Sequence, residues 1–162
     1  MKKLILFAAL TLSLAPLTAQ AKCYTAQEAE AEQGIRIHSE LMVIGLNCQH
    51  MAQRRGKNPY GQYAELTARL SPLLARYEKA LIEYFRDSGV SNPESKFNDL
   101  RTVFANRISQ EVALKRPDVF CAQNIQRLDL VGGMSEQDLH SWASSLTTQV
   151  PATQPLCASA SR

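Results

Sequence analysis

Four cysteines place the strongest constraint on how this 162-residue chain folds. They are Cys23, Cys48, Cys121 and Cys157. An even number of cysteines in a small exported protein most simply forms disulfides, and four cysteines allow three pairings. The fold therefore depends on whether the chain leaves the cytosol and on which cysteines can meet.

The N-terminal segment indicates export. Lys2 and Lys3 precede an apolar run over residues 4–14, and residues 19–21 read Ala-Gln-Ala, which is the small-x-small pattern of a cleavage site. This arrangement is typical of a secretory signal peptide, and the run is too short to span a membrane. We expect residues 1–21 to be cleaved and the mature chain to be periplasmic or secreted, with no membrane span.

The charge balance limits the classes of partner. Removal of residues 1–21 lowers the formal net charge from +3 to +1, because Lys2 and Lys3 are the charged residues in that segment. A nearly neutral chain lacks the strongly basic balance of many nucleic-acid-binding proteins, so we expect no specific nucleic-acid partner. Residues 22–162 are long enough for one domain with a hydrophobic core.

Hydrophobic residues recur at helical spacing along most of the chain. The first predicted helix begins after a capping box formed by Thr25 and Glu28, and it ends near Arg54, before a segment rich in glycine and proline. Residues 41–46 of this helix are apolar on nearly all sides. This pattern favours a position in the middle of a helical bundle.

Four more helical segments follow the first. The second spans residues 63–85, and Pro72 should kink it or split it with Ser71 as a new N-cap. The remaining three begin near Asn92-Pro93, Pro117 and Ser135.

These segments predict an all-α fold. We expect a compact bundle of four to five helices over residues 22–147, joined by two disulfides and without a sheet. Residues 148–162 show no periodicity. We predict that they form an extended tail tethered through Cys157.

Helix geometry decides between the disulfide pairings. Cys23 and Cys48 lie 25 positions apart, which is about 37 Å along a continuous helix. That distance far exceeds the reach of a disulfide. Antiparallel neighbouring helices bring Cys121 level with Cys48 and leave Cys157 near Cys23. We therefore predict the disulfides Cys48–Cys121 and Cys23–Cys157.

A metal site is the main alternative for Cys48, with a reactive thiol as a further one. Cys48 is followed closely by His50 and Met51, which offer soft ligands. Positions two apart on a helix point about 200° apart, however, so Cys48 and His50 face different ways. His38 and Met42 do share a face one turn apart. These four histidines and methionines are the candidate ligands, although we favour disulfides and expect no cofactor.

The most concentrated basic patch follows the first helix. It contains Arg54, Arg55 and Lys57, with Tyr60 and Tyr63 nearby. Such a patch could bind another protein or an anionic component of the cell envelope. The alternative is that cations after a helix C-terminus interact with the helix dipole and keep the loop soluble. We take these five residues as the candidate binding surface.

The first helix also carries charged residues at steps of four. Glu28, Glu32, Arg36 and Glu40 line one edge. Paired carboxylates could bind a cation or act in general acid–base catalysis. We instead predict a solvated face in which these residues form i,i+4 pairs.

The last helix contains a serine, an acid and a histidine. Ser135, Asp138 and His140 could suggest a hydrolytic triad, but they lie close together on one helix, without the strand-turn-helix elbow that positions a nucleophilic serine. The apolar stripe predicts that Trp142 lies in the core and that His140 is exposed.

Three function classes remain open. We favour an exported, disulfide-stabilised helical binding or interaction protein without catalytic activity, such as an inhibitor, an immunity-type protein or a chaperone-like module. The alternative is a periplasmic metal or small-ligand carrier that uses His38, Met42, His50 and Met51. The second alternative is an enzyme of unknown type, which would bring distant polar residues together in a cleft.

Overall fold

The computed structural model describes residues 23–158, so the predicted signal peptide at residues 1–21 lies outside it. The described chain is all-α, as predicted. Within this range, no helix is long and apolar enough to cross a membrane. The helices are α1 Ala26–Asn47, a 3-10 helix Gln49–Met51, α2 Ala52–Arg55, α3 Pro59–Arg69, α4 Ser71–Asp87, α5 Pro93–Leu114, α6 Pro117–Asn124, α7 Gln126–Val131 and α8 Glu136–Leu146.

Three helices begin with the capping residues that the sequence predicts. The Thr25 hydroxyl accepts a hydrogen bond from the backbone N–H of Glu28, and the Glu28 carboxylate accepts one from the Thr25 N–H. Ser135 forms the same reciprocal arrangement at the start of α8. The side chain of Asn92 accepts from the N–H of Ser95 at the start of α5. Local chemistry thus fixes these helix starts.

The helices are more numerous than the predicted four to five, because the second predicted helix is split at a proline. It forms α3 and α4, with Leu70 between them. Leu70 is the N-cap of α4 and makes no side-chain capping bond, so the prediction of Ser71 as the cap is wrong. Pro72 lies in the first turn of α4, where its missing N–H has no intrahelical partner to lose.

Tight turns divide two further predicted helices. The first helix ends at Asn47 and not near Arg54, because the chain tightens into 3-10 geometry with a bond from the Met51 N–H to the Cys48 carbonyl. The fourth predicted helix is likewise divided into α6 and α7 around Ile125. Both divisions replace i→i+4 bonds by i→i+3 bonds.

Helix α1 lies at the centre of the bundle, in contact with α3, α4, α5 and α8. Its apolar side chains are buried around most of the circumference, as the sequence predicts; they are Ile35, Ile37, Leu41, Val43 and Ile44. Because α1 is covered on most sides, its polar residues must also find partners inside the protein.

The two predicted disulfides are present at opposite ends of α1. Cys48–Cys121 has a Cα–Cα distance of 5.6 Å, and both residues are fully buried. Cys23–Cys157 has a Cα–Cα distance of 4.8 Å; Cys157 is exposed and Cys23 is half-buried. The first disulfide is part of the core, whereas the second lies at the surface.

The C-terminal segment lies against the start of α1. The N–H of Val150 bonds to the carbonyl of Leu146, where α8 ends, and the chain is then non-helical. We call residues 150–157 the strap. Near its end, Tyr24 donates its N–H to the Pro155 carbonyl and accepts the N–H of Cys157, both at 2.8 Å. This is an isolated parallel bridge and not a strand of a sheet.

Candidate functional site

The five residues of the predicted binding surface are divided between solvent and interior. Arg54, Lys57 and Tyr60 are exposed. Arg55 donates to the Asp129 carboxylate at 2.5 Å. Tyr63 is buried in the core. The exposed part of this surface is therefore smaller than the sequence pattern suggests.

A groove of about 570 Å³ lies beside this surface and includes Lys57 and Asp129 in its lining. Asp129 accepts from Arg55 and also from the amide of Gln62. The bond from Arg55 holds the pKa of the Asp129 carboxyl below its usual range. The exposed carboxylate of Asp129 thus already neutralises part of the positive charge in the groove.

The candidate metal ligands occupy different environments. His38 accepts or donates a hydrogen bond at 2.9 Å with the Tyr63 hydroxyl, and burial lowers its pKa to about 4. Met42 and Met51 are half-buried against the core, whereas His50 is exposed and bonds to the Asn47 carbonyl. Among residues 23–158, no group of three or more His, Cys, Asp or Glu side chains could hold a metal ion.

The middle of the charged edge of α1 is buried, so the prediction of a solvated face is wrong for Glu32 and Arg36, whereas Glu28 and Glu40 at its ends are half-buried. Glu32 is 0% exposed and Arg36 is 6% exposed. Their side chains form an ion pair at 3.3 Å. The reason is that the strap, which has no periodicity in the sequence, lies over this edge.

The strap contacts this edge mainly through its backbone. The Glu32 carboxylate accepts the N–H of Thr153 at 2.9 and 3.1 Å, and also its hydroxyl. Gln33 donates to the Val150 carbonyl at 3.0 Å, and Arg36 donates to the Pro151 carbonyl at 3.3 Å. We call Glu32, Gln33, Arg36 and Thr153 the strap cluster. It satisfies most of the polar groups that burial removes from water.

A second buried glutamate forms a cluster that the sequence analysis did not predict. Glu30 is 9% exposed and accepts three side-chain hydrogen bonds. Oε1 accepts from the Tyr77 hydroxyl at 2.6 Å and from Nδ1 of His140 at 2.5 Å, and Oε2 accepts from the Ser144 hydroxyl at 2.9 Å. We call these four residues the Glu30 cluster. It joins α1, α4 and α8 across up to 114 positions of sequence.

The Glu30 cluster lies in an open cleft of about 530 Å³ between these three helices. Nδ1 of His140 is bonded to Glu30, whereas Nε2 makes no hydrogen bond within residues 23–158, and the side chain is 46% exposed. An ion pair between Arg76 and Glu136, at 2.7 Å, forms part of the rim. The rest of the lining is mixed: Ala26, Leu73 and Ala80 are apolar, and Gln27, Gln137 and Thr147 are polar.

Close packing of α1 on α4 sets the position of Tyr77. A Cβ atom built on Gly34 would lie 2.3 Å from a carbon of the Tyr77 ring. Only glycine at this position lets the ring pass close to α1 and reach Glu30. Burial raises the pKa of Tyr77, and the bond to the Glu30 carboxylate raises it further. The phenol therefore remains a hydrogen-bond donor over the whole neutral pH range.

The polar groups of the last helix do not form a hydrolytic triad. Ser135 and Asp138 bond to each other in the capping box, while His140 bonds to Glu30. The hydroxyl of Ser144 also donates to Glu30. Trp142, predicted in the core, is only partly buried.

One feature of the sequence could have indicated the burial of Glu30, although the sequence analysis did not use it. Glu30 falls in register with Ile37, Leu41 and Ile44 on the buried stripe of α1. A carboxylate on a buried helix face needs polar partners from other elements. Tyr77 and Ser144 carry no comparable signal, because which helices meet Glu30 depends on the tertiary packing.

The geometry of the cleft is the basis for a functional assignment. No protein-family model, curated protein or solved structure matches this chain.

Proposed function

We propose that this chain is an exported, disulfide-stabilised binding protein that recognises a small polar ligand in the cleft of the Glu30 cluster and does not transform it. The observation that carries this proposal is the convergence of Tyr77, His140 and Ser144, from two helices, on one buried carboxylate of a third helix at an open cleft.

The dimensions and chemistry of the cleft support ligand binding. Small-molecule sites typically occupy about 300–1,000 Å³ and combine apolar walls with a few fixed polar groups. The cleft volume of about 530 Å³ lies within that range. The hydrogen bond to Glu30 fixes the ring of His140, so one ring nitrogen is oriented before a ligand arrives. Such preorganisation lowers the entropic cost of binding.

The hydrogen-bond pattern favours binding over nucleophilic catalysis. A nucleophilic serine needs a direct hydrogen bond to its base. Here Ser144 and His140 each donate to Glu30, so the carboxylate lies between the hydroxyl and the imidazole. Fixed donors and acceptors in a cleft are sufficient for recognition.

A ligand screen tests the proposal. The mature protein is mixed with a panel of amino acids, amines, organic acids and sugars, and thermal unfolding is recorded. A ligand at 100 times its Kd should raise the free energy of unfolding by about 2.7 kcal/mol. His140→Ala should abolish this stabilisation, whereas His50→Ala, which alters an exposed histidine outside the cleft, should preserve it. Stabilisation that survives both His140→Ala and Glu30→Gln would place the ligand elsewhere.

A second candidate function is recognition of an anionic partner at the exposed side chains of Arg54, Lys57 and Tyr60, which lie beside the groove of about 570 Å³. Co-sedimentation with vesicles containing phosphatidylglycerol tests an anionic envelope component. Arg54→Glu with Lys57→Glu should reduce binding, while Lys79→Glu on the exposed face of α4 should not. Equal loss in both variants would mean that the interaction reflects net charge alone.

A further inference from the structure

The two disulfides differ in their access to external thiols. Cys48 and Cys121 are both 0% exposed, whereas Cys157 is exposed and Cys23 is half-buried. Thiol–disulfide exchange requires a thiolate to reach one of the two sulfurs. An external thiol can therefore approach Cys157 in the folded protein, while the core disulfide is shielded.

The strap is held in place mainly by polar contacts, and it buries little apolar surface. Pro151, Thr153 and Pro155 are exposed, and Leu156 is 51% exposed. The strap is attached to the helical body by hydrogen bonds to Tyr24 and to the strap cluster. Such attachment depends strongly on the covalent link that keeps the two ends together.

The strap does not satisfy every polar atom of the edge that it covers. Within the described part of the chain, Oε1 of Gln33 and Nε of Arg36 have no hydrogen-bond partner, although both residues are more than nine-tenths buried. Unpaired buried polar groups cost free energy that solvent would recover. Release of the strap would hydrate both atoms. The free energy gained by this hydration favours the released state and so weakens the net attachment of the strap.

The strap follows α8, the helix that forms one wall of the cleft. Helix α8 carries His140 and Ser144 and ends at Leu146. The N–H of Val150 bonds to the Leu146 carbonyl, so the strap begins within one turn of that end. Anchoring the strap on α1 therefore also holds the C-terminal end of α8 beside α1, where Glu30 accepts its two α8 partners.

We propose that Cys23–Cys157 is a thiol–disulfide exchange site for an external dithiol reductant, and that its opening releases the strap and loosens α8 over the cleft. The reductant's thiolate attacks Sγ of Cys157, and Sγ of Cys23 leaves as a thiolate and takes up a proton. The second thiol of the reductant, as a thiolate, then attacks the reductant sulfur of the mixed disulfide, and Sγ of Cys157 leaves as a thiolate and takes up a proton. The protein gains two electrons and two protons, and the reductant becomes a disulfide.

The exchange site is tested first on the mature oxidised protein, without any variant. The protein is treated with dithiothreitol under native conditions, quenched with iodoacetamide at increasing times, and digested for peptide mass mapping. Cys23 and Cys157 should be alkylated at least about tenfold faster than Cys48 and Cys121, because exchange depends on access to the sulfur. Alkylation of all four cysteines at one rate would overturn the proposal.

Release of the strap is measured by hydrogen exchange on the protein with only Cys23–Cys157 opened. The N–H groups of Tyr24, Thr153 and Cys157 should lose protection, while those in α5 keep theirs. The double variant Cys23→Ser with Cys157→Ser should give the same pattern without reductant. Strap amides that stay protected in both samples would show that the disulfide does not hold the strap.

The predicted effect on the cleft rests on the proposed function. Failure of the coupling between the strap and α8 can be distinguished from failure of the ligand site. Opening the disulfide should shift the NMR resonance of the His140 ring and weaken binding of any ligand found in the screen. Strap release without a change in the NMR resonance of His140 would overturn the coupling to α8, but it would not contradict the ligand site. Ligand binding that persists in His140→Ala would instead refute the ligand site, while the exchange site would stand on its alkylation rates.

Discussion

Glu30 and Glu32 lie two residues apart on α1, yet their surroundings differ in almost every respect. Positions two apart on a helix point about 200° apart, so the two carboxylates leave α1 on opposite sides. Glu32 binds the backbone of the strap and the guanidinium of Arg36 in a closed interior. Glu30 binds side chains of α4 and α8 at an open cleft.

Glutamate thus has two different roles within one turn of α1. The partners of Glu32 include the positively charged guanidinium of Arg36 and the backbone N–H of Thr153. Any extended segment offers such a backbone group, so these contacts suit a structural role. The partners of Glu30 are two hydroxyls and an imidazole, and the imidazole is half-exposed. Glu30 thus orients a group that a ligand can reach, whereas Glu32 orients the chain itself.

The largest expected effect is that of Glu32→Ala. It leaves the buried guanidinium of Arg36 without its carboxylate and the N–H of Thr153 without its acceptor. Removing one partner of a buried ion pair typically costs about 3–5 kcal/mol. Urea denaturation should show a loss of this size, and Glu78→Ala, at an exposed position of α4, should show little change. Equal stability of the two variants would contradict a structural role for Glu32.

The next effect concerns His38, a third polar group of α1. Its pKa is lowered from 6.5 to about 4, mainly by burial. The unfolded chain therefore takes up this proton at a higher pH than the folded protein does. Stability is complete above about pH 6.5 and falls as the pH is lowered to about 4, by at most about 3 kcal/mol.

Urea denaturation between pH 7 and pH 4 measures this dependence. His38→Gln removes the titrating ring and should flatten the pH profile in that window. His50→Gln, at an exposed histidine, should leave the profile unchanged. A profile that keeps its slope in His38→Gln would assign the pH dependence to other groups.

A smaller effect is expected for Gly34→Ala, which disturbs the Glu30 side of α1 alone. The new Cβ would lie 2.3 Å from the Tyr77 ring and push the phenol away from Glu30. Overpacking of this kind typically costs about 1–3 kcal/mol. Gly133→Ala is the matched control, because no atom lies within 4 Å of the added Cβ. Thermal unfolding compares them, and equal Tm values would show that α4 can move aside freely.

The smallest effect on stability is expected for Glu30→Gln, which keeps the shape of the side chain and removes its charge. One acceptor oxygen becomes an amide donor, so at least the bond from Ser144 is lost if the amide takes the position of Oε2, which leaves the two bonds to Oε1 in place. The expected cost is about 1–2 kcal/mol, near the range for a hydrogen bond to a charged group. Ligand stabilisation should nevertheless disappear. A loss of stability as large as that of Glu32→Ala would remove the distinction between the two glutamates.

The sequence predicted those features that local chemistry or simple helix geometry decides. The capping residues Thr25, Asn92 and Ser135 act within one turn, so their effect is visible in the sequence. The length of α1 excluded a Cys23–Cys48 pairing, and antiparallel packing selected the observed disulfides. These inferences needed no knowledge of side-chain contacts.

The sequence could not predict contacts made by an aperiodic segment. Glu32 and Arg36 have the i,i+4 spacing of an exposed pair, and only the strap makes them interior. The partners of Glu30 depend on α4 and α8 meeting the same side of α1, which periodicity alone does not specify. The charged neighbours of Tyr63 favour a surface position, but its spacing with Leu66 and Leu70 is that of the buried stripe, and Tyr63 is buried.

The Cys23–Cys157 disulfide also makes the described chain a covalent ring with a sequence separation of 134 between its joined ends. A protease that cuts once inside this ring, for example after the exposed Lys57, opens a gap but releases no fragment. The nicked protein gains the mass of one water and migrates as a single molecule until its disulfides are reduced. Pulling on the two joined ends would likewise load the sulfur–sulfur bond and leave the helices between them unstretched.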